Sequence, residues 1–249
     1  MCLCAAFILV VAPVFLPTAC AADITTGLVG HWTFDTADIS GSTALDKSGQ
    51  GNNGSITGAA NVSGRIGQAL YFNGSGDAVT VPYSASVNLT SSMTLAVWVR
   101  PDDPVSAHGA FFENDWSCGY HFGTSCNVNY GTAFFLAGTQ VFDFASKLYP
   151  DRWTHMAVTF DDNTNEGLLY INGAVDYQTS YAGTIGGCGG GLSIGSRPSG
   201  YGQYYKGLLD DARMYNRALT VEDVQALYLL GVGRTTIRGA RIGAGTTIR

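Results

Sequence analysis

Leu168-Leu169-Tyr170-Ile171-Asn172-Gly173-Ala174-Val175-Asp176-Tyr177 sets two strand-like runs on either side of Asn-Gly. Both central residues of a two-residue hairpin loop need positive φ, and Asn-Gly meets that need at low steric cost. The stretch therefore predicts a β-hairpin. The same period-2 alternation spreads outward from it. Trp153 to Phe160 places Met156, Val158 and Phe160 on one face. Met93 to Arg100 puts Met93, Leu95, Val97 and Val99 on one face and Trp98 on the other. Leu28 to Phe34 groups Leu28, Trp32 and Phe34, and shorter strands fit 69–72, 78–81, 133–136, 192–194 and 208–215. Many short strands with turn signals between them predict an all-β sandwich. One short C-terminal helix is expected. Thr220 caps it with Asp223 three residues on, Val221, Val224, Leu227 and Tyr228 share a face, and Gly231 stops it.

Composition agrees with that picture. At 249 residues the chain suits one sizeable core. A net charge of −6 with 13% charged residues excludes a nucleic-acid binder working through a broad basic surface. Hydrophobic content of 46% excludes a disordered chain, which could not leave so much apolar surface in water.

Residues 1–22 carry no charge and hold an apolar run from Ala5 to Leu16, too short to span a bilayer comfortably. They read as a secretory signal peptide cut after Ala21 or Ala22, with acylation of Cys20 as a lipoprotein alternative. Export to the cell surface or beyond is the expectation. The sandwich domain then covers 23–231, and a flexible Gly/Thr/Arg-rich tail covers 232–249, where Thr235-Thr236-Ile237-Arg238 recurs as Thr246-Thr247-Ile248-Arg249. After cleavage Cys118, Cys126 and Cys188 remain, and Cys118–Cys126 closes the shortest disulfide loop.

Seven segments, in order, resemble the laminin-G-like domain of the concanavalin A-like lectin/glucanase superfamily in its bacterial form. They begin with Gly27-Leu28-Val29-Gly30-His31-Trp32-Thr33-Phe34-Asp35 and Asp46-Lys47-Ser48-Gly49-Gln50-Gly51-Asn52-Asn53-Gly54. Gly67-Gln68-Ala69-Leu70-Tyr71-Phe72-Asn73-Gly74 and Leu95-Ala96-Val97-Trp98-Val99-Arg100-Pro101 follow. Trp153-Thr154-His155-Met156-Ala157-Val158-Thr159-Phe160-Asp161 and Tyr170-Ile171-Asn172-Gly173 come next. The last is Gly207-Leu208-Leu209-Asp210-Asp211-Ala212-Arg213-Met214-Tyr215-Asn216-Arg217-Ala218-Leu219. The resemblance implies a jelly-roll sandwich of two antiparallel sheets. It also implies a partner outside the cell, a glycan or glycoprotein.

Three candidate chemistries follow. A retaining glycosidase needs two carboxyls about 5–5.5 Å apart. The glucanase pattern Glu-x-Asp-x-x-Glu meets Glu113-Asn114-Asp115-Trp116-Ser117-Cys118, with Cys118 where the second Glu belongs. A lyase pair of Tyr120 and His121 is refused by period-2 geometry, which sends the two to opposite faces. His121 with Tyr130 is the other pair a lyase could use, and the residues leave catalysis unsupported rather than excluded. Calcium is the second chemistry. Leu208, Asp210, Ala212 and Met214 share a phase, so Asp210 interrupts an apolar stripe and needs compensation. The resemblance places Asp35 and Asp211 beside it, and Asp77 and Asn73 offer further oxygens toward one structural calcium. Sugar binding is the third. Trp116 and Tyr120 in one Gly-rich stretch, and Tyr201 and Tyr204 in another, are the candidate platforms. The expected function is a carbohydrate-binding or adhesive module. A glycan hydrolase or lyase, and a surface protein assembling through its tail, are the alternatives.

Overall fold

The computed structural model describes residues 22–102, 108–115, 117–125, 131–145, 148–197 and 203–233. Trp116, Cys126, Tyr130 and Tyr201, the leader to residue 21 and the tail from 234 lie outside the described residues, with the expectations resting on them.

In chain order the strands are β1 (Leu28–Trp32), β2 (Ile39–Ser40), β3 (Thr43–Ala44), β4 (Gly54–Thr57), β5 (Ala60–Ser63) and β6 (Gln68–Asn73). β7 (Ala78–Val81), β8 (Met93–Pro101), β9 (Ala110–Asn114), β10 (Tyr120–Thr124), β11 (Thr132–Leu136) and β12 (Thr139–Ala145) follow. β13 (Thr154–Asp161), β14 (Glu166–Ile171), β15 (Ala174–Ser180), β16 (Leu192–Ile194), β17 (Lys206–Tyr215) and the helix α1 (Val221–Gly231) complete the fold. Asn172 and Gly173 take φ of 51° and 79° and turn β14 into β15, as the hairpin requires.

The strands form two antiparallel sheets. The first runs β15-β14-β13-β8-β17-β6-β5, with β1 paired to β17, and the second runs β12-β11-β10-β9-β16-β7-β4-β3-β2. Between them lies the core. Leu95, Val97, Met156, Val158 and Phe160 from the first sheet meet Phe112, Phe122, Phe134 and Ile194 from the second. Each large side chain so buried contributes about 1.5–3 kcal/mol of transfer free energy. This is the all-β jelly-roll sandwich with one short helix that the sequence predicts.

The outer face of the first sheet carries a smaller apolar cluster of Ala96, Ala157, Tyr170 and Tyr215, covered by Val224 and Leu227 of α1. Thr220 accepts from the Asp223 N–H and Asp223 returns the bond, a complete capping box. Tyr228 stacks on Trp98 with ring centroids 5.6 Å apart. Val221, expected on the buried face, is 43% exposed instead.

β17 departs from the predicted phase, and the departure shapes the site. Lys206–Leu209 pair with β6, whereas Ala212–Tyr215 pair with β1. At the change of partner the register against β8 slips between Asp210 and Arg213, and Asp211 takes φ of 48°. This bulge puts one extra residue on β17 and shifts its alternation. Leu209, Ala212 and Met214 reach the core, while Asp210 stands opposite Trp98 on the outer side. The expected stripe is thus broken after Asp210, with Leu208 and Asp210 on the outer side and Ala212 and Met214 in the core.

Candidate functional site

β1 and β17 lie side by side, with His31 directly opposite Arg213. The bulge tips Asp211 toward both. His31 Nε2 donates to Asp211 Oδ1 at 2.7 Å, and Arg213 donates Nε to Oδ2 at 3.0 Å and Nη2 to Oδ1 at 3.1 Å. One residue earlier, Asp210 Oδ2 accepts the backbone N–H groups of Arg65 (2.6 Å) and Ile66 (2.8 Å) from the loop joining β5 to β6. Asp35, just past β1, accepts the Gln68 N–H at 2.7 Å. The loop must come close for this. Gly67 has φ of 62°, and a Cβ there would collide with Asp35 Oδ1; a Cβ at Gly64 would sit 2.6 Å from Asp210 Oδ2. A cavity of about 290 Å³ opens above the group, lined by His31, Thr33, Asp35, Asp211 and Arg213 with Ile66 and Leu230 as apolar walls.

The two neighbouring aspartates are driven in opposite directions. Burial would raise the Asp211 carboxyl, but the His31 and Arg213 donors overcome it and hold the group at about 2. Burial raises Asp210 to about 7; the Ile66 and Arg65 amides oppose the rise, and the Asp211 and Asp35 charges add to it. Its Oδ1 is buried without a protein partner.

These donors fit a calcium poorly. The ion takes six to eight oxygens, yet Asp211 is occupied by a guanidinium and an imidazole, and one Asp210 oxygen by two amides. Asp77, the fourth expected ligand, accepts the Asn73 N–H at 2.8 Å at the start of β7, in the other sheet. Among the described residues, the one set of three acid, His or Cys side chains with ligand atoms within 4.8 Å of one another is Asp115, Cys118 and Cys188. Its two sulfurs are bonded to each other.

The aromatic candidates part company. Tyr120 is wholly buried, and its hydroxyl donates to Val87 O at 2.8 Å, so it packs the core rather than meeting a ligand. Burial pushes that phenol well above its ordinary range. His121, next in sequence, points the other way and bonds Glu113 through Nδ1. Arg197 Nε stands 3.4 Å from Glu113 Oε1, and Ser193 lies opposite Glu113 on β16. These form a second buried polar group, on the outer face of the second sheet. Tyr204, half-buried, joins its edge through a backbone bridge to Ser196. Asp115 of the glucanase-like pattern does not share that face; at φ of 49° it bonds Ser117 within the turn after β9.

The disulfide is Cys118–Cys188, across 70 residues, and not Cys118–Cys126. Ser193 of β16 pairs with Glu113 of β9, which brings the segment before β16 against the β9–β10 turn. The shortest-loop rule has no access to that pairing.

Residues 73–225 match the Laminin_G_3 profile, described as the concanavalin A-like lectin/glucanases superfamily. The chain belongs to this family. No curated protein sequence matches the chain. Among solved structures, this Laminin_G_3 chain is similar to domain 4 of AbnA, a GH43 extracellular arabinanase from Geobacillus stearothermophilus, in complex with arabinotriose. The identity is 23% and the TM-score 0.65, over 81% of this chain and 98% of that one. It is also similar to the binding domain of botulinum neurotoxin DC in complex with SialylT (14% identity, TM-score 0.62, 83% of this chain and 52% of that one). A Trypanosoma rangeli sialidase gives 19% identity and a TM-score of 0.62 over 88% of this chain. The chain spans about half of the toxin domain and about a third of the sialidase, at 52% and 35%.

Sequence reasoning named Asp35, Asp210 and Asp211 and missed His31, Arg213, Ile66 and Leu230. A usable signal was present for two of these. His31 and Arg213 are polar residues in strands that the family resemblance sets at the two ends of the domain.

Proposed function

We propose that the protein is an exported glycan-binding module whose site is the cavity over β1 and β17. The observation that carries this reading is the span of the likeness to the arabinanase domain. It covers 98% of a domain solved with arabinotriose. The cavity chemistry supports it. Sugar hydroxyls both donate and accept, and Asp35, Thr33, His31 and Arg213 offer both roles beside the apolar Ile66 and Leu230. Its 290 Å³ lies at the low end of ligand pockets, room for one sugar ring. Export agrees with the disulfide. No helix among the described residues is long and apolar enough to cross a membrane.

A glycan array on the purified protein should return selective binding without product. Leu230→Trp is the companion variant. Leu230 is 47% exposed on the rim, so an indole there fills the cavity and leaves the fold alone. Affinity should fall about tenfold or more at unchanged melting temperature. Equal binding by the variant removes the site, and no retained glycan removes the function. Shortened glycan chains would favour a hydrolase or lyase instead. Concentration-dependent assembly lost on deleting 232–249 would favour a surface assembly protein.

The calcium expected from the sequence is a separate proposal with its own measurement. Given the donors around Asp35 and Asp210, a chelator should leave the melting temperature unchanged. A fall of several degrees would reinstate a native-state ion, since a ligand bound only to the folded form stabilises by RT ln(1 + [L]/Kd).

A further inference from the structure

Asp23 is fastened to the far end of the chain by two of its backbone groups. Its backbone N–H donates to Asp223 Oδ1 at 2.6 Å. Its carbonyl accepts from Arg217 Nη2. Its carboxylate turns onto the N–H groups of Thr25 and Thr26, both at 3.0 Å. Asp223, buried in the first turn of α1, accepts Arg217 Nη1 at 3.0 Å through its other oxygen. Arg217 Nε also reaches Thr26 O at 2.9 Å. Arg217 is thus the ion-pair partner of Asp223 and meets Asp23 only at the backbone carbonyl. The atom resting on Asp223 Oδ1 is a neutral amide.

The sequence allows cleavage at two neighbouring bonds. Ala19-Cys20-Ala21 and Cys20-Ala21-Ala22 both present small residues at the two positions that a signal peptidase reads. The contacts separate them. Cutting after Ala22 makes the Asp23 nitrogen an α-ammonium at the position where Asp223 already accepts. Cutting after Ala21 leaves that nitrogen an amide and moves the new charge one residue away, about 3.8 Å along the chain.

We propose that maturation hydrolyses the Ala22–Asp23 bond and that the freed α-ammonium of Asp23 ion-pairs with Asp223, locking the mature N-terminus to the first turn of α1. The inference rests on the export reading above. A signal peptidase consumes one water. The carbonyl carbon of Ala22 takes its oxygen and leaves as the leader's carboxylate, and the Asp23 nitrogen becomes –NH₃⁺. The hydrogen bond from a neutral amide to the Asp223 carboxylate becomes one between two full charges, which is stronger.

Two measurements test it. The full chain is expressed in a secreting host, and the intact mass and N-terminal sequence of the secreted protein are read. Asp23 as first residue is expected. Secretion with Ala22 or another residue first overturns the inference alone, and retention of the uncut chain overturns the export reading with it. The α-amino group of the Asp23-first protein is then titrated by NMR. Its pKa should lie about one unit above the ordinary 7.7–8.0. Asp223→Asn should return it to that range. Thr220→Ala also breaks the capping box but keeps the Asp223 carboxylate, and it should leave the pKa raised. An ordinary pKa in the parent protein, or equal loss in both variants, overturns the ion pair.

Discussion

Asp210→Asn should make stability rise between about pH 4 and 6.5, where the parent protein shows little change from its two buried outer-face groups. Asp210 titrates at about 7 in the fold against 3.8 ordinarily. The native state therefore holds a proton that the unfolded chain has lost, and Asp210 costs stability as pH climbs from about 4 to 7. His155 does the reverse. Burial lowers it from 6.5 to about 4, with the Asp211 charge opposing and the Arg213 charge assisting. The unfolded chain then binds the proton, and stability is gained as pH climbs from about 4 to 6.5. The full effects are about 4 and about 3 kcal/mol with opposite sign. Both residues stand opposite Trp98, one on each neighbouring strand.

Each single variant should expose the other slope. His155→Gln should lose stability from about pH 4 to 7. Asp210→Asn should gain it up to about 6.5 and exceed the parent at pH 8, because the amide oxygen still accepts from Arg65 and Ile66 while the buried charge is gone. Part of that gain is offset, by about 1–3 kcal/mol, where the new NH₂ lacks an acceptor. Urea unfolding across this pH range reads all three profiles. If Asp210→Asn keeps the parent profile, the buried carboxylate is not the protonated group described above.

Cys188→Ser should cost about 4 kcal/mol, the chain entropy released by opening a 70-residue loop. For a domain of this size that lowers the melting temperature by about 10 °C. Cys118→Ser should cost the same, and the double variant should cost no more than either single one. Cys126→Ser should leave the bridge in place, as read by a non-reducing peptide map. Loss of the bridge in Cys126→Ser would return the pairing to Cys118–Cys126.

The aspartate cluster was half legible. Asp210 stood out because a carboxylate in an apolar stripe needs compensation. The sequence called for compensation and offered calcium; the fold supplies the Arg65 and Ile66 amides on one oxygen. Backbone donors carry no residue signature, so no reading of side chains could have named them. Once the bulge has shifted the phase, Arg213 stands on the same outer side as Asp210, opposite Ala96 as Asp210 is opposite Trp98. Its partner is Asp211, turned by the bulge.

Alternation, the Asn172-Gly173 turn and the Thr220–Asp223 capping box were readable because they are local. Each follows from sterics or hydrogen bonds among residues a few positions apart, and those act wherever the segment ends up. Together with the ordered segments they carried the class of fold. The strand neighbours, the Cys118–Cys188 bridge and the exchange of β6 for β1 along β17 join residues far apart in the chain. Such pairs form only where other elements deliver them, so their identity depends on the packing of the whole sandwich. The bulge at Asp210–Asp211 belongs with them. Aspartate tolerates the left-handed region, but only the change of partner strand demands it there.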